Sequence, residues 1–443
     1  MKPYLFAMVA VAALTGLSGC GIFGGGDGPK GTPTVGERIP VLSSEAGVEV
    51  DPELAGVPVV LPAPVVNSEW AQSGGNASKS VGHVALGTAP AQAWSVSIGT
   101  GSSNNGRLGA APVVGDGRIY TIDTQANVRA INPETGATIW QRQIAGPDAS
   151  SRTLFGGGVG FANGRVYATN GAGDAAALDA ATGNQIWQAR PGGPLRGSPT
   201  ISADSVYVVS QDNQLFALNE QNGQTRWSAS GSIEASGVFG AASPAFGQST
   251  VVAGYSSGEL AAYRFENGQE VWSDALSRTT VTTSVHALTD IDADPVIDQG
   301  RVFAIGQGGR MVAMELNTGQ RVWELNIAGI ATPWVAGDWV FVVTDQAQLL
   351  AIARSTGRVR WMAQLQRWRD QADRRGPISW QGPVLAGNRL VLVNSLGQIV
   401  YASPTDGSVQ QTIATRTPFS LPPVVVNNTL LLLDDSGRLT AWR

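Results

Sequence analysis

The stretch "PVVGDGRIYTIDTQANVRAINPETGATIW", Pro112 to Trp140, recurs in altered form through the rest of the chain. A unit of this length cannot bury its own apolar face, so its copies must stack on one another, and this constrains the fold more than anything else in the sequence. Further copies end at Trp187, Trp227, Trp272, Trp323 and Trp361, and a seventh, Pro383 to Gln411, puts glutamine where the tryptophan is expected. The eighth, "PVVVNNTLLLLDDSGRLTAWR", stops at Arg443 before any Gly-x-x-x-Trp element. Upstream of the first copy, "AQAWSVSIG" holds Trp94 in the strand context of the others.

Each copy reads as four short strands. A Pro-led apolar strand ends at a turn such as Asp116-Gly117, Asn163-Gly164 or Gly387-Asn388, the chemistry of a tight hairpin. "RIYTI" or "RVFAI" forms the second strand and "LFALN" or "MVAME" the third, and the fourth carries the tryptophan. Spacings of 38 residues (Trp323 to Trp361) to 51 (Trp272 to Trp323) fit a propeller blade. The expected fold is all-β: an eight-bladed β-propeller of four-stranded antiparallel blades, closed by an N-terminal strand that completes the last one. Closure removes the exposed edges of an open array. Stacked β-sandwiches are the alternative, and they give no reason for so regular a period.

In the full copies the glycine four residues before the tryptophan, as Gly136 before Trp140, permits a positive backbone angle at the turn. The indole then has about 150 to 250 Å² to bury between sheets. Trp94, Trp140, Trp187, Trp227, Trp272, Trp323 and Trp361 are accordingly read as structural side chains that dock blade on blade. A ligand cage would need rings converging on one place, whereas these sit one per repeat. The blade junction at Gln411 should be less well sealed.

The first residues read differently. Lys2 precedes an apolar run from Leu5 to Leu14, too short for the roughly 20 residues of a membrane-spanning helix, and small residues follow. This is a secretory signal, and "LSGC" resembles the bacterial lipobox, whose cysteine is acylated and becomes the first mature residue. On that reading residues 1–19 are the signal peptide, Cys20 is the lipidation site, and residues 20–64, rich in Gly, Pro and Val without periodicity, are a flexible tether. Residues 65–443 are the propeller. Gly21, rather than Asp, after the cysteine favours the outer membrane, periplasmic face, over the inner one. Several acyl chains, at about 0.8 kcal/mol per buried methylene, anchor stably where one does not.

Composition limits the chemistry. Lys plus Arg number 29 against 34 Asp plus Glu, a mildly acidic balance without the basic clusters that nucleic acid requires. Cys20 is the single cysteine, so no intrachain disulfide can form. His83 and His286 stand isolated, with no nucleophile context beside either. No Cys/His metal spacing, phosphate loop or dinucleotide fingerprint is present. The residues point to no catalytic group, no cofactor and no metal.

"LDAATGNQIW", Leu178 to Trp187, resembles the docking motif of quinoprotein-type (PQQ-like) repeats, and the likeness runs over nearly all of the chain after Trp70. Two families use such rings. PQQ-dependent dehydrogenases hold their quinone over a vicinal-cysteine disulfide with calcium on Glu, Asn and Asp, and one cysteine cannot supply that disulfide. The combination of lipobox, tether, eight repeats and strand closure is similar instead to the BamB lipoproteins of the outer-membrane β-barrel assembly (BAM) machinery. That resemblance implies a non-catalytic scaffold that binds the periplasmic POTRA domains of BamA and other BAM components, with unfolded outer-membrane protein precursors as further candidate partners and the membrane reached through the lipid. A periplasmic dehydrogenase-like quinoprotein is the alternative.

Binding should lie where the connections from a fourth strand to the next first strand are longest, after Trp227, Trp272 and Trp361. In the second of these, "ALTDIDADPVI" resembles a BamB segment whose two acids contact BamA, which carries over to Asp290 and Asp292. Turn and strand capping is the other reading of these acids, and both stay open. In the first, the resemblance assigns Val238 to an apolar contact and puts Phe239 where the family has arginine, implying a more apolar contact. The third, residues 364–380, brings Arg367, Arg369, Arg374 and Arg375 near Trp368 and Trp380. It reads as a solvated helical turn balanced by Asp370 and Asp373, or as a contact for an acidic partner.

Overall fold

The computed structural model describes residues 48–146, 149–195, 197–232, 242–276 and 289–443. Among them, eight four-stranded antiparallel sheets follow one another as blades. Blade one consists of Val113–Gly115, Arg118–Ile122, Asn127–Ile131 and Thr138–Gln143, in that spatial order. Blades two to four begin at Val159–Ala162, Thr200–Ser202 and Ala245–Gly247, and blades five to seven at Val296–Asp298, Trp334–Ala336 and Trp380–Ala386. Blade eight takes three strands from the C-terminus, Val424–Val426, Thr429–Leu433 and Arg438–Trp442, and its fourth from Gln92–Ser97. Across that closure Ser95 pairs with Thr440 and Val96 with Leu439, antiparallel. The fold is the expected eight-bladed propeller, closed as the incomplete eighth repeat requires.

Burial explains the strand sequences. Inner strands are covered on both faces by neighbouring blades, so Ser205–Val209 and Thr429–Leu433 are buried at every position. In the outer strand Thr138–Gln143 only Trp140 is even half-buried. The hairpin turns carry two consecutive left-handed residues, as at Asp116 (φ +49°) and Gly117 (φ +66°), which match the twist of the strands they join.

Each indole lands on the turn of the next blade. Trp140 Nε1 donates to the Ala180 carbonyl at 3.0 Å, and a Cβ added to Gly183 would meet its ring at 2.7 Å. Trp187 bonds Glu220 O at 2.9 Å and covers Gly223, Trp227 bonds Phe265 O at 2.8 Å and covers Gly268, and Trp272 bonds Leu316 O at 2.7 Å and covers Gly319. Trp323 bonds Arg354 O at 2.9 Å over Gly357, and Trp361 bonds Pro404 O at 3.0 Å over Gly407. Glycine is therefore required twice over, for the positive φ and for the space the ring fills. Behind several indoles stands an aromatic of the second strand, as in Tyr120–Trp140 at 6.0 Å and Phe303–Trp323 at 6.0 Å.

Gln411 is exposed and has no such turn to cover. Blade eight's third strand ends near Arg443, so no Gly-bearing turn leads on to its fourth. The seam expected to be weak is closed from within instead: Leu392 and Val393 of blade seven share one apolar cluster with Leu431 and Leu433 of blade eight.

Two N-terminal segments pack where composition alone shows no element. Residues 48–64, assigned to the tether by composition, run along blade six. Val50 bridges Val359 in parallel, Asp51 N–H donates to Val359 O at 2.8 Å, and Arg358 pairs with both Asp51 and Glu53. The short 3-10 turn Pro52–Leu54 is capped by the Asp51 carboxylate. Their bonds go to another strand, which is why they show no period of their own.

Residues 67–86 circle the inside of the ring. Asn67 bonds Val425 O in blade eight, Trp70 pairs with Val114 in blade one, and the Ala71 carbonyl accepts from Phe161 N–H in blade two. Gln72 makes both amide bonds to Ile201 in blade three. The carbonyls of Ala77 and Ser78 accept from Phe246 and Ile297, that of Gly82 accepts from Trp334 Nε1, and Val84 N–H donates to Leu385 O. All eight blades are thus tied to one strand of chain, which closes the channel as a plug.

Candidate functional site

Because strands alternate in direction, the fourth-to-first connections share a face with the turns between second and third strands. Residues 289–294 illustrate the join. Thr289 Oγ1 donates to Ser256 O at 3.1 Å and Ile291 N–H to Tyr255 O at 3.1 Å, while Gln307 N–H donates to Asp290 O at 2.9 Å. The segment is thereby laced between the turns of blades four and five.

Asp290 is buried; Asp292 is half-buried and accepts from Gln307 Nε2 at 2.6 Å. Burial pushes the Asp292 carboxyl up to about 6, and the Asp290 charge adds to the rise, against the stabilising amide of Gln307. The two acids are brought together, but unequally: Asp292 faces the axial cavity and Asp290 the protein. Asp292 lines a cavity of about 310 Å³ on the ring axis.

The plug makes the floor of that cavity with Trp70, Ser73, Gly74 and Lys79, and the ends of inner strands make its wall. Asp294, in the wall, accepts from Ser243 N–H at 2.7 Å and Ser73 Oγ at 2.5 Å. Lys79 is buried, its Nζ donating to Thr200 Oγ1 at 3.0 Å, which donates onward to Pro244 O at 2.5 Å. Burial drives the ammonium down to about 8, opposed by the Asp294 charge. Trp70 and Trp334 stack at 5.9 Å. The polar groups of the floor bond outward to the blades, Ser73 to Asp294 and Lys79 to Thr200, which locks the plug into the ring.

A quinone with calcium does not fit this lining. Neither Glu nor Asn is among its residues, Asp294 has both oxygens engaged, and the single cysteine lies elsewhere in sequence.

Cys20, Val238, Phe239 and His286 lie outside the described residues. His83 sits in the plug, with Nδ1 2.7 Å from Pro62 O and Nε2 accepting from Asn388 N–H at 3.0 Å, which fixes the proton on Nδ1 and makes the ring a structural bridge. Residues 364–380 are not a helical turn. Trp368–Asp370 pairs with Arg375–Pro377 as a hairpin, Trp368 opposite Pro377, because Asp370 accepts from the Ala372 and Asp373 amides and closes the turn. The plug residues Asn67, Gln72 and Lys79 escape a reading based on repeats. The available signal is a run of amide, hydroxyl and ammonium side chains in a segment without periodicity.

Fold and face together define a class: a closed eight-bladed propeller of PQQ-like repeats whose axial site is plugged by its own chain. The chain belongs to the family described as outer membrane protein assembly factor BamB, whose family model matches residues 87–153 and 124–363. It is 25% identical to the outer membrane protein assembly factor BamB of Yersinia pestis, over 80% of this chain and 88% of that one. In structure it resembles BamB from Moraxella catarrhalis (TM-score 0.66, 19% identity, 80% of this chain and 99% of that one). It resembles the quinohemoprotein alcohol dehydrogenase of Comamonas testosteroni in fold at a TM-score of 0.63 and 14% identity, over 84% of this chain and 80% of that one.

Proposed function

We propose that this protein is a non-catalytic scaffold of the outer-membrane β-barrel assembly machinery, held at the periplasmic face of the outer membrane by lipid on Cys20 and a tether after it. It binds the POTRA domains of BamA through the face that carries Asp290 and Asp292, with Val238 and Phe239 in the neighbouring connection, and so assists the folding and insertion of outer-membrane proteins. Membership of the BamB family carries this reading. The face adds to it, since Asp292 is the less buried acid of the pair and lines the cavity at this face, and Asp290 shapes the segment that carries it.

Capture of BamA by the tagged full chain tests it. The wild type should recover BamA. Asp292→Asn should recover several-fold less, the effect expected of a lost charge-assisted contact. Undiminished capture by Asp292→Asn overturns the site; no capture by the wild type overturns the scaffold. The quinoprotein alternative predicts dye reduction with alcohols once PQQ and calcium are added, and the engaged Asp294 argues for none.

A further inference from the structure

The hairpin between blades six and seven offers a second contact, independent of Asp290 and Asp292. It carries four arginines; one is hydrogen-bonded to the next blade and a second faces an acid of the same hairpin. Arg369 Nη2 donates to Ser395 O at 2.8 Å, and Arg375 lies 3.9 Å from the Asp373 carboxylate. Of the two acids that balance the sequence, Asp373 is the one facing Arg375 and Asp370 caps the turn.

The remaining arginines are the ones that line a groove of about 610 Å³, with Gln364, Leu365, Trp368 and Gln371. Arg367 lies over the Trp368 ring, 4.9 Å from its centroid, so its guanidinium is held in place. Asp345 is the carboxylate whose field reaches it, without an ion pair between them. Arg374 is exposed on a left-handed backbone (φ +53°) and has no ion-pair partner among the described residues. Leu365 is buried in the floor.

We propose that this groove binds an extended acidic peptide segment: one carboxylate on Arg374, a second on Arg367, and an apolar side chain between them against Leu365 and Trp368. The concavity and the apolar floor favour a peptide over a membrane surface, which a convex cluster of cations would meet better. Guanidinium matches carboxylate in a planar, two-bonded geometry, and Arg367, already held over Trp368, loses little freedom on binding.

Fluorescence anisotropy of the full chain with a labelled synthetic peptide alternating Glu with Leu tests this, beside the same peptide with Gln for Glu. The acidic peptide should bind at least about tenfold tighter than the amide one, and less tightly as salt rises. Arg367→Gln with Arg374→Gln should remove that difference with an unchanged melting curve, while Arg375→Gln and Asp292→Asn bind as wild type. Equal binding of the two peptides, or full binding by the double variant, overturns the proposal. So does Arg367- and Arg374-dependent sedimentation with phosphatidylglycerol vesicles in the absence of peptide binding, which assigns the groove to lipid.

Discussion

Trp94 Nε1 donates to the Pro133 carbonyl at 2.8 Å, and the indole lies where a Cβ on Gly136 would stand 2.8 Å from Cε3. Trp140 and Gly183 make the same contact within the repeat array, but this one spans the closure, because Trp94 belongs to the strand lent to blade eight. Arg443 reinforces it from the other chain end, with Nη2 on Pro133 O at 2.9 Å and an ion pair to Glu134.

Removing that indole should therefore weaken the closure before it weakens any blade. Trp94→Ala should cost about 3 kcal/mol, the lower end for a large aromatic because Trp94 is half-buried, read as a lower urea midpoint. Gly136→Ala should act similarly, since φ is +72° and the new methyl meets the ring. Amide exchange should rise first in Gln92–Ser97 and Arg438–Trp442.

Gln411→Trp makes the converse case. Restoring the repeat's residue there should change stability by less than about 0.5 kcal/mol, because the site is exposed and blade eight offers no glycine turn beneath it. A marked gain in urea midpoint would mean that the indole finds another surface.

These two positions show what the repeat makes legible. Gly-x-x-x-Trp spacing marks the outer strand, the receiving turn and, through the incomplete eighth copy, the closure, since each is a local feature recurring in register. Asn67, Gln72 and Lys79 leave no such mark, for each bonds a different blade far away in sequence. The arginine hairpin reads as a helical turn because its arginine and aspartate spacing permits one, and the Asp370 cap decides otherwise only in three dimensions. Asp290 and Asp292 are visible as a pair through resemblance alone; their unequal burial is not.

Asp292 sets a pH dependence. With the folded carboxyl near 6 and an unfolded one near about 3.9, the folded chain holds the extra proton between those values, so stability falls as pH rises through that window. Asp292→Asn should remove this slope. At pH 7.5 the variant should be more stable by at most about 3 kcal/mol, and well below about pH 4 the two should coincide, in urea titrations at each pH.

Arg358 holds the segment before the plug. Its pairs with Asp51 and Glu53 lie on the surface, and the pairing holds the Asp51 carboxyl below the usual range, against some burial. Exposed pairs add little to global stability, yet these two join a segment whose other bonds to blade six are few: Asp51 N–H to Val359 O, and Arg360 Nε to Val57 O at 2.7 Å. Arg358→Ala should leave the thermal midpoint unchanged while thermolysin cleaves faster near Val50 and Leu54, read by mass spectrometry. High salt should bring the wild type toward the variant, because screening weakens the same two pairs. Equal cleavage at low salt would assign the hold to the backbone bonds alone.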